Sequence, residues 1–311
     1  MAFYRALGTG MVISVDSPID DKVRSAMESL IEDYEHVLSR FRNDSLIAAI
    51  GKAEHGGSFD FPDWCAPLFD LYDALFSATS GAIDPCVGED LIRLGYDASL
   101  SFTVTQDAPE HLGALRGRAV WGRDVTRHGT TLVTHEPVQL DFGACGKGYL
   151  VDLLGRMLQS SQFVIDAGGD LLIHTEQPIS VALEDPEDQS HAIGIAHIAN
   201  GALCASAPSR RHWNMAVNER TQIAIHHLLN AIDGLPAQQT EASWAYIPAN
   251  ATLNLARDYP TAVADGLATA LFVSDVAQLQ RTFDFTYATL DESRQIAVSR
   301  NFPAELFLRS A

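Results

Sequence analysis

The sequence predicts an α+β fold, a single compact mixed α/β domain with two lobes, and three observations carry that prediction. Helical stripes and strand-like runs follow one another without the regular strand-helix-strand repeat of a parallel sheet. Apolar residues fill 47% of the 311 positions and charged residues 20%, which suffices for a sizeable core and argues against disorder. No internal repeat, low-complexity segment or sharp change of composition marks a boundary, so one domain is expected over residues 1–311.

Taken in order, residues 10–15 (GMVISV) read as a strand. After Ser17-Pro18, the side chains Val23, Met27, Leu30, Ile31, Tyr34, Leu38 and Phe41 recur at helical spacing and predict a long amphipathic helix. A second helix reads over 63–79, with Leu68, Leu71, Tyr72, Leu75 and Phe76 on one side and Gly81 as its stop. Both stripes read as core faces. A third helix opens after Gly146-Lys147-Gly148 and carries Leu150, Leu153, Leu154 and Met157. Short strands are expected at 162–166, 171–175, 179–183 and 192–198, then at 222–229 and 242–247. Residues 263–273 read as a helix, and 285–290 with 295–299 as a hairpin turning at Asp291-Glu292. Polar and turn residues concentrate at 97–130 and 184–191, which are expected as exposed excursions.

Charge restricts the function. Forty acidic residues against 21 basic ones give −19 with no basic cluster, which disfavours nucleic-acid or anionic-membrane binding. A phosphate-bearing ligand would need a few placed cations or a divalent metal. Cys65, Cys86, Cys145 and Cys204 show no CxxC spacing, so neither a zinc knuckle nor a disulfide scaffold is indicated and a reducing compartment fits. The opening MAFYRALGTGMVISV lacks a signal-peptide pattern, and no window approaches the 18 apolar residues of a membrane span. A cytoplasmic protein without membrane insertion is expected, absent a removed leader.

The densest motif is Asp141-Phe-Gly-Ala-Cys-Gly-Lys-Gly-Tyr-Leu-Val-Asp152. Its glycines let N–H groups converge on an anion, the following helix start adds partial positive charge, and Lys147 supplies a cation. The spacing is not that of a nucleoside-triphosphatase loop, and a plain glycine-rich turn is the alternative. Asp166-Ala-Gly-Gly-Asp170 is a second glycine turn, able to approach a ligand or simply to reverse the chain. Asp265 and Thr269 lie four apart in Ala264-Asp-Gly-Leu-Ala-Thr-Ala270, which on a helix sets a carboxylate beside a hydroxyl. Such hard oxygens suit Mg²⁺; the alternative is Asp265 as a helix cap with Thr269 packed inside. His226 and His227 end a strand-like run, and one of them is a candidate base or a structural histidine.

In order, these segments resemble the ApbE family, the FAD:protein FMN transferases, from Gly8 to about Arg300. Gly8-Thr9 with Val12-Ile13 is similar to the family's opening Gly-Thr strand, Ser39-Arg40-Phe41 with Ser45 to its Ser-rich helix exit, and Gly81-Ala-Ile-Asp-Pro85 to its Gly-x-Phe-Asp-Pro segment. The Asp141–Asp152 loop, the Gly168-Gly169-Asp170 turn and Ala264–Thr269 resemble its three remaining motifs. The resemblance implies a T-fold-related domain with FAD in the cleft between its lobes. It implies that Asp265, Thr269 and the Ala144 carbonyl hold Mg²⁺. It also implies FAD contacts from Thr9, Ser39, Asp84, Lys147, Asp152, Gly168, Gly169 and Ser206.

The implied reaction has a Thr or Ser hydroxyl of an acceptor protein attack the FMN-side phosphorus of FAD, with AMP leaving. Asp265 and Lys147 would serve it electrostatically and His227 as base, with Asn230 orienting the imidazole. FAD hydrolysis to FMN and AMP, or FAD binding without catalysis, are the rival activities. Two departures bear on the choice. The family's His-Ile-Leu-Asp-Pro-x-Thr-Gly-x-Pro stands here as His227-Leu-Leu-Asn-Ala-Ile-Asp-Gly-Leu-Pro236, so Asn230 and Ala231 replace an Asp-Pro pair. Cys204-Ala-Ser206 stands where Thr-Ser-Gly is common.

Overall fold

A computed structural model describes residues 1–218 and 221–307. In chain order come β1 (Ala2–Ala6), β2 (Thr9–Val15), α1 (Asp21–Leu38), α2 (Leu46–Lys52), β3 (Gly57–Asp60), α3 (Ala66–Ala78), α4 (Gly88–Arg93) and α5 (Ala108–His111). Next are β4 (Val125–His128), β5 (Thr131–Thr134), α6 (Gly146–Gly155), β6 (Phe163–Asp166), β7 (Asp170–Glu184), β8 (Ala192–Ser206), β9 (His212–Asn218) and β10 (Thr221–His226). The chain continues through β11 (Leu229–Asn230), β12 (Leu235–Pro236), β13 (Thr240–Pro248), α7 (Asn254–Asp258), α8 (Pro260–Ala270), α9 (Val276–Leu279), β14 (Thr286–Asp291), β15 (Ile296–Val298) and β16 (Ala304–Leu306). The architecture is mixed α/β, with antiparallel strand pairing throughout the named sheets.

Two compact units divide these elements: residues 1–32, 144–209 and 238–311 form the first, and 33–143 with 210–237 the second. The first unit is built on a nine-stranded sheet in the order β1-β2-β6-β7-β8-β13-β14-β15, with β16 also paired to β8. Ile173, Leu183, Ile193, Ile198, Leu203, Trp244, Leu290 and Phe302 form its buried apolar cluster. The runs at 171–175 and 179–183 are one strand, β7, because a register shift between His174 and Ile179 interrupts the alternation that marks a continuous strand. The expected strand at 192–198 likewise extends to Ser206 as β8. The hairpin at 285–299 forms as β14 and β15. Helix α8 starts at Pro260, earlier than its apolar stripe suggests, since proline is suited to the first helical position where its missing N–H is not needed.

The second unit holds the sheet β3-β5-β4, the ribbon β9-β10 and the short pair β11-β12. Leu91, Leu94, Tyr96, Leu112, Trp213 and Ile225 form one buried cluster, and Phe61, Phe69, Tyr72, Trp121 and Phe142 meet in an aromatic one. The stretch 97–130 is not simply an exposed excursion: Ala108, Leu112, Ala119, Trp121 and Val125 are buried in it. Its apolar residues are too widely spaced to make a periodic stripe, and their burial comes from tertiary contacts. Within it Arg118 is enclosed between two acids, its Nε 2.8 Å from Asp90 and its Nη1 3.5 Å from Asp84.

Candidate active site

In the first unit α6 and α8 pack together and each supplies a carboxylate to the start of the other. Asp265 Oδ2 accepts the Gly148 N–H at 2.9 Å in the first turn of α6. Asp152 of α6 accepts the N–H groups of Thr261 at 3.1 Å and Ala262 at 2.8 Å in the first turn of α8. These amides have no acceptor within their own helix, so the exchange satisfies both ends at once. Gly148 is glycine for a local reason: a Cβ there would strike the Thr261 carbonyl and come within 2.9 Å of the Asp265 Cβ.

The pairing brings the candidate ligands together. Asp265 and Thr269 share a face of α8, and the Thr269 hydroxyl donates to the Ala144 carbonyl at 3.4 Å. Oxygens on adjacent corners of an octahedral Mg²⁺ shell lie about 3 Å apart, so this hydroxyl and carbonyl could share a small cation after a small approach. Among the described residues no three His, Cys, Asp or Glu side chains cluster as metal ligands. A divalent ion here would therefore depend on a mixed set of one carboxylate, one hydroxyl and one carbonyl, which is the hard-oxygen chemistry Mg²⁺ takes.

Lys147, in the first turn of α6, ion-pairs with Asp170 and lies 3.8 Å from Asp265 Oδ1. Asp170 begins β7, has no solvent exposure, and apart from the Lys147 ammonium its oxygens have no hydrogen-bond donor among the described residues. Burial pushes the Asp265 carboxyl above its usual range, opposed by the Lys147 ammonium and the Gly148 N–H. Cys204 of β8 is a buried thiol pushed well upward by desolvation, and it donates to the Thr261 carbonyl at 3.5 Å. It supports α8 and is no nucleophile.

The other predicted residues of this unit separate into two groups. Thr9 lies against the 168–169 turn, since a Cβ on Gly168 would come within 2.6 Å of its Oγ1. Gly168 and Gly169 both have positive φ, and their N–H groups are held by Asp166 Oδ1 at 2.9 and 3.3 Å. Ser206 ends β8 opposite Ser243. Asp152 is 2% exposed, and both of its oxygens accept amides of α8. Burial raises its carboxyl to about 7, against those amide donors.

In the second unit Ser39 follows α1, its N–H bonded to the Glu35 carbonyl. Asp84 is buried, receiving the Cys86 N–H at 2.8 Å and the Trp121 N–H at 3.3 Å beside Arg118. Burial raises its carboxyl, with Arg118 pulling the other way. His227 has a buried Nδ1 without a hydrogen-bond partner among the described residues. Desolvation, with the Arg211 charge second, pulls its pKa down to about 3.

The departure at 230–231 has a structural content. Asn230 Oδ1 accepts the Ile232 N–H at 3.0 Å, a turn an aspartate would also make, so it is engaged there. The Ala231 N–H donates to the Ala82 carbonyl at 3.0 Å, a bond no proline could form.

Sequence reasoning did not single out Arg40 or Asp141 as a pair. Arg40 Nε donates to Asp141 Oδ2, its Nη1 donates to the Tyr96 carbonyl at 2.6 Å, and its guanidinium covers the Phe41 and Tyr96 rings at 4.2 and 4.7 Å. Asp170 stands in the glycine turn that the sequence marks, but its pairing with Lys147 has no local signal beyond an acid directly after two glycines and inside an apolar run.

The family whose pattern matches this chain is the ApbE family, over residues 7–289. A curated relative from Klebsiella pneumoniae (strain 342), FAD:protein FMN transferase, is 23% identical over 84% of this chain and 74% of its own length. One of the same name from Treponema pallidum (strain Nichols) is 26% identical over 81% and 72%. Among solved structures, an ApbE protein from Thermotoga maritima is similar with TM-score 0.78 and 19% identity, covering 98% of this chain and 99% of that one. The flavin transferase ApbE from Vibrio cholerae gives TM-score 0.76 and 16% identity, covering 97% of each chain. No helix among the described residues is long and apolar enough to cross a membrane.

Proposed function

Since this chain belongs to the ApbE family, we propose that it is an FAD:protein FMN transferase, moving the FMN half of FAD onto a Thr or Ser hydroxyl of an acceptor protein and releasing AMP. The observation that carries the reading is the α6–α8 arrangement, which gathers Lys147, Asp265, Thr269 and the Ala144 carbonyl. Two homologues bearing that activity in their names support it.

In this reading Asp265, Thr269 and the Ala144 carbonyl hold Mg²⁺, which when bound supplies positive charge to a pyrophosphate. Lys147, tethered by Asp170, adds a cation that can turn toward a phosphate without crossing an apolar barrier, its side chain being 25% exposed. Gly168 and Gly169 offer close backbone approach to FAD beside Thr9, with Ser206, Ser39 and Asp84 as the remaining proposed FAD contacts or supports. The acceptor hydroxyl forms a bond to the FMN-side phosphorus as the bridging P–O bond breaks toward AMP. The hydroxyl proton needs an acceptor; His227, the candidate from the sequence, is neutral across the physiological range, but with burial holding its pKa near 3 it is a weak base as it stands. A cytoplasmic setting accords with the four buried cysteines.

The test is incubation with FAD, Mg²⁺ and a Thr-bearing acceptor, followed by denaturing electrophoresis and chromatography of nucleotides. A fluorescent acceptor band with equimolar AMP is expected. AMP and free FMN without a band would assign hydrolysis instead, and neither product would leave an FAD-binding role.

A further inference from the structure

The reciprocal carboxylates of α6 and α8 have unequal roles. Asp265 faces Lys147 and Thr269 shares its face, so the α8 carboxylate belongs to the site itself. Among the described residues no hydrogen bond joins Asp152 to Lys147, Thr269 or the Ala144 carbonyl; its two oxygens receive the amides of Thr261 and Ala262, 109 and 110 residues further along the chain. Those amides belong to the helix that carries Asp265 and Thr269 one and two turns later. Ala144 and Lys147, by contrast, sit at the start of the helix that carries Asp152. The spacing of the three oxygens is therefore set by how α8 is seated along α6, and Asp152 is the polar link that fixes the start of α8.

We infer that Asp152 is a positioning residue for the cation site: its carboxylate clamps the first turn of α8 to α6 and thereby sets the distance from Asp265 and Thr269 to the Ala144 carbonyl. The inference rests on the metal assignment proposed above. Three further observations favour it. The contact is buried from water, so no solvent molecule can substitute for the carboxylate. Gly148 leaves no slack, because a Cβ there would already collide with Thr261 and Asp265. Cys204 braces the same turn from β8 through the Thr261 carbonyl. A carboxylate acting one bond beyond the ligands orients them as outer-shell partners of metal sites do.

The experiment uses the full chain with FAD present. Mn²⁺ is titrated as a spectroscopic probe, with loss of the free-ion electron paramagnetic resonance signal as readout and an FAD-only blank. Asp152→Asn keeps the shape but turns one acceptor into a donor facing an amide; Asp152→Glu keeps the charge and both acceptors but adds a methylene, displacing α8. Both should weaken Mn²⁺ binding about 10- to 100-fold. Asp275→Ala removes a comparable cap, on α9, where Asp275 Oδ1 accepts the Ala277 N–H at 2.7 Å, and should leave Mn²⁺ affinity unchanged. Folded Asp152 variants that bind Mn²⁺ like the wild type overturn the inference alone. A wild type that binds no Mn²⁺ beyond the blank overturns the metal assignment and the inference with it.

A second measurement needs no variant. By linkage, an ion held between the two helices must steady the clamp that spaces them, so Mg²⁺ should slow hydrogen exchange at Thr261 and Ala262 about tenfold in the wild type. Unchanged exchange there, with Mn²⁺ binding intact, contradicts the clamp.

Discussion

Lys147 and Asp170 form an ion pair in which the carboxylate has no solvent exposure and no hydrogen-bond donor other than the ammonium among the described residues. The lysine is therefore the chief compensation for a charge that would otherwise be stranded in the sheet. Lys147→Met is predicted to cost about 3–5 kcal/mol of stability, the usual penalty for leaving one partner of a buried pair alone. Adding Asp170→Leu should restore most of it while FAD turnover stays low. Urea unfolding of the single and double variants measures this; a Lys147→Met chain as stable as the wild type contradicts it.

At 230–231 the two changes are predicted to have opposite consequences. Asn230→Asp keeps the side-chain bond to the Ile232 N–H and should alter stability by less than about 0.5 kcal/mol. Ala231→Pro deletes the donor to the buried Ala82 carbonyl and should cost about 1–3 kcal/mol. Thermal unfolding of both variants separates them, and a stabilised Ala231→Pro chain would show that this bond carries no weight.

Asp90 gives a pH dependence of known sign. Burial raises its carboxyl to about 6 from an ordinary value of 3.8, with Arg118 and the Gly113 N–H opposing. A raised carboxylate means the folded chain binds the proton more tightly than the unfolded chain. Its contribution is thus fully present below about pH 4 and is lost as pH rises through about 6. Asp90→Asn should flatten the stability profile over that window; an unchanged slope contradicts the assignment.

For His227, a pKa held near 3 by burial predicts that the imidazole is neutral from pH 5 to 8. The pH profile of FMN transfer should then show no inflection near 6.5 from this residue, while His227→Gln lowers kcat. An inflection near 6.5 that disappears in His227→Gln would show that the ring is solvated during turnover.

Much of the first unit's site was legible because its signals are local. The four-residue step from Asp265 to Thr269 places both on one helix face wherever the helix lies, and the glycines around Lys147 mark a close approach whatever approaches. What was not legible depends on long-range partners. Asp152 is spaced like a ligand but ends against Thr261 and Ala262, a contact no local pattern encodes. Arg118 stands in a stretch whose apolar residues lack periodicity, so its burial between Asp84 and Asp90 leaves no trace in the sequence. The shift between His174 and Ile179 split one strand into two for the same reason: alternation is a local signal and a bulge erases it.

The most direct measurement is the mass of an acceptor protein after incubation with FAD, Mg²⁺ and either the wild-type chain or Asp265→Asn. Asparagine can still accept the Gly148 N–H, so the variant should fold while losing the carboxylate charge. The wild type is expected to add one FMN phosphoester per acceptor, and Asp265→Asn to lower the initial rate by about 100-fold or more. An acceptor labelled at equal rates by both chains, or left unlabelled by the wild type while AMP accumulates, would contradict it.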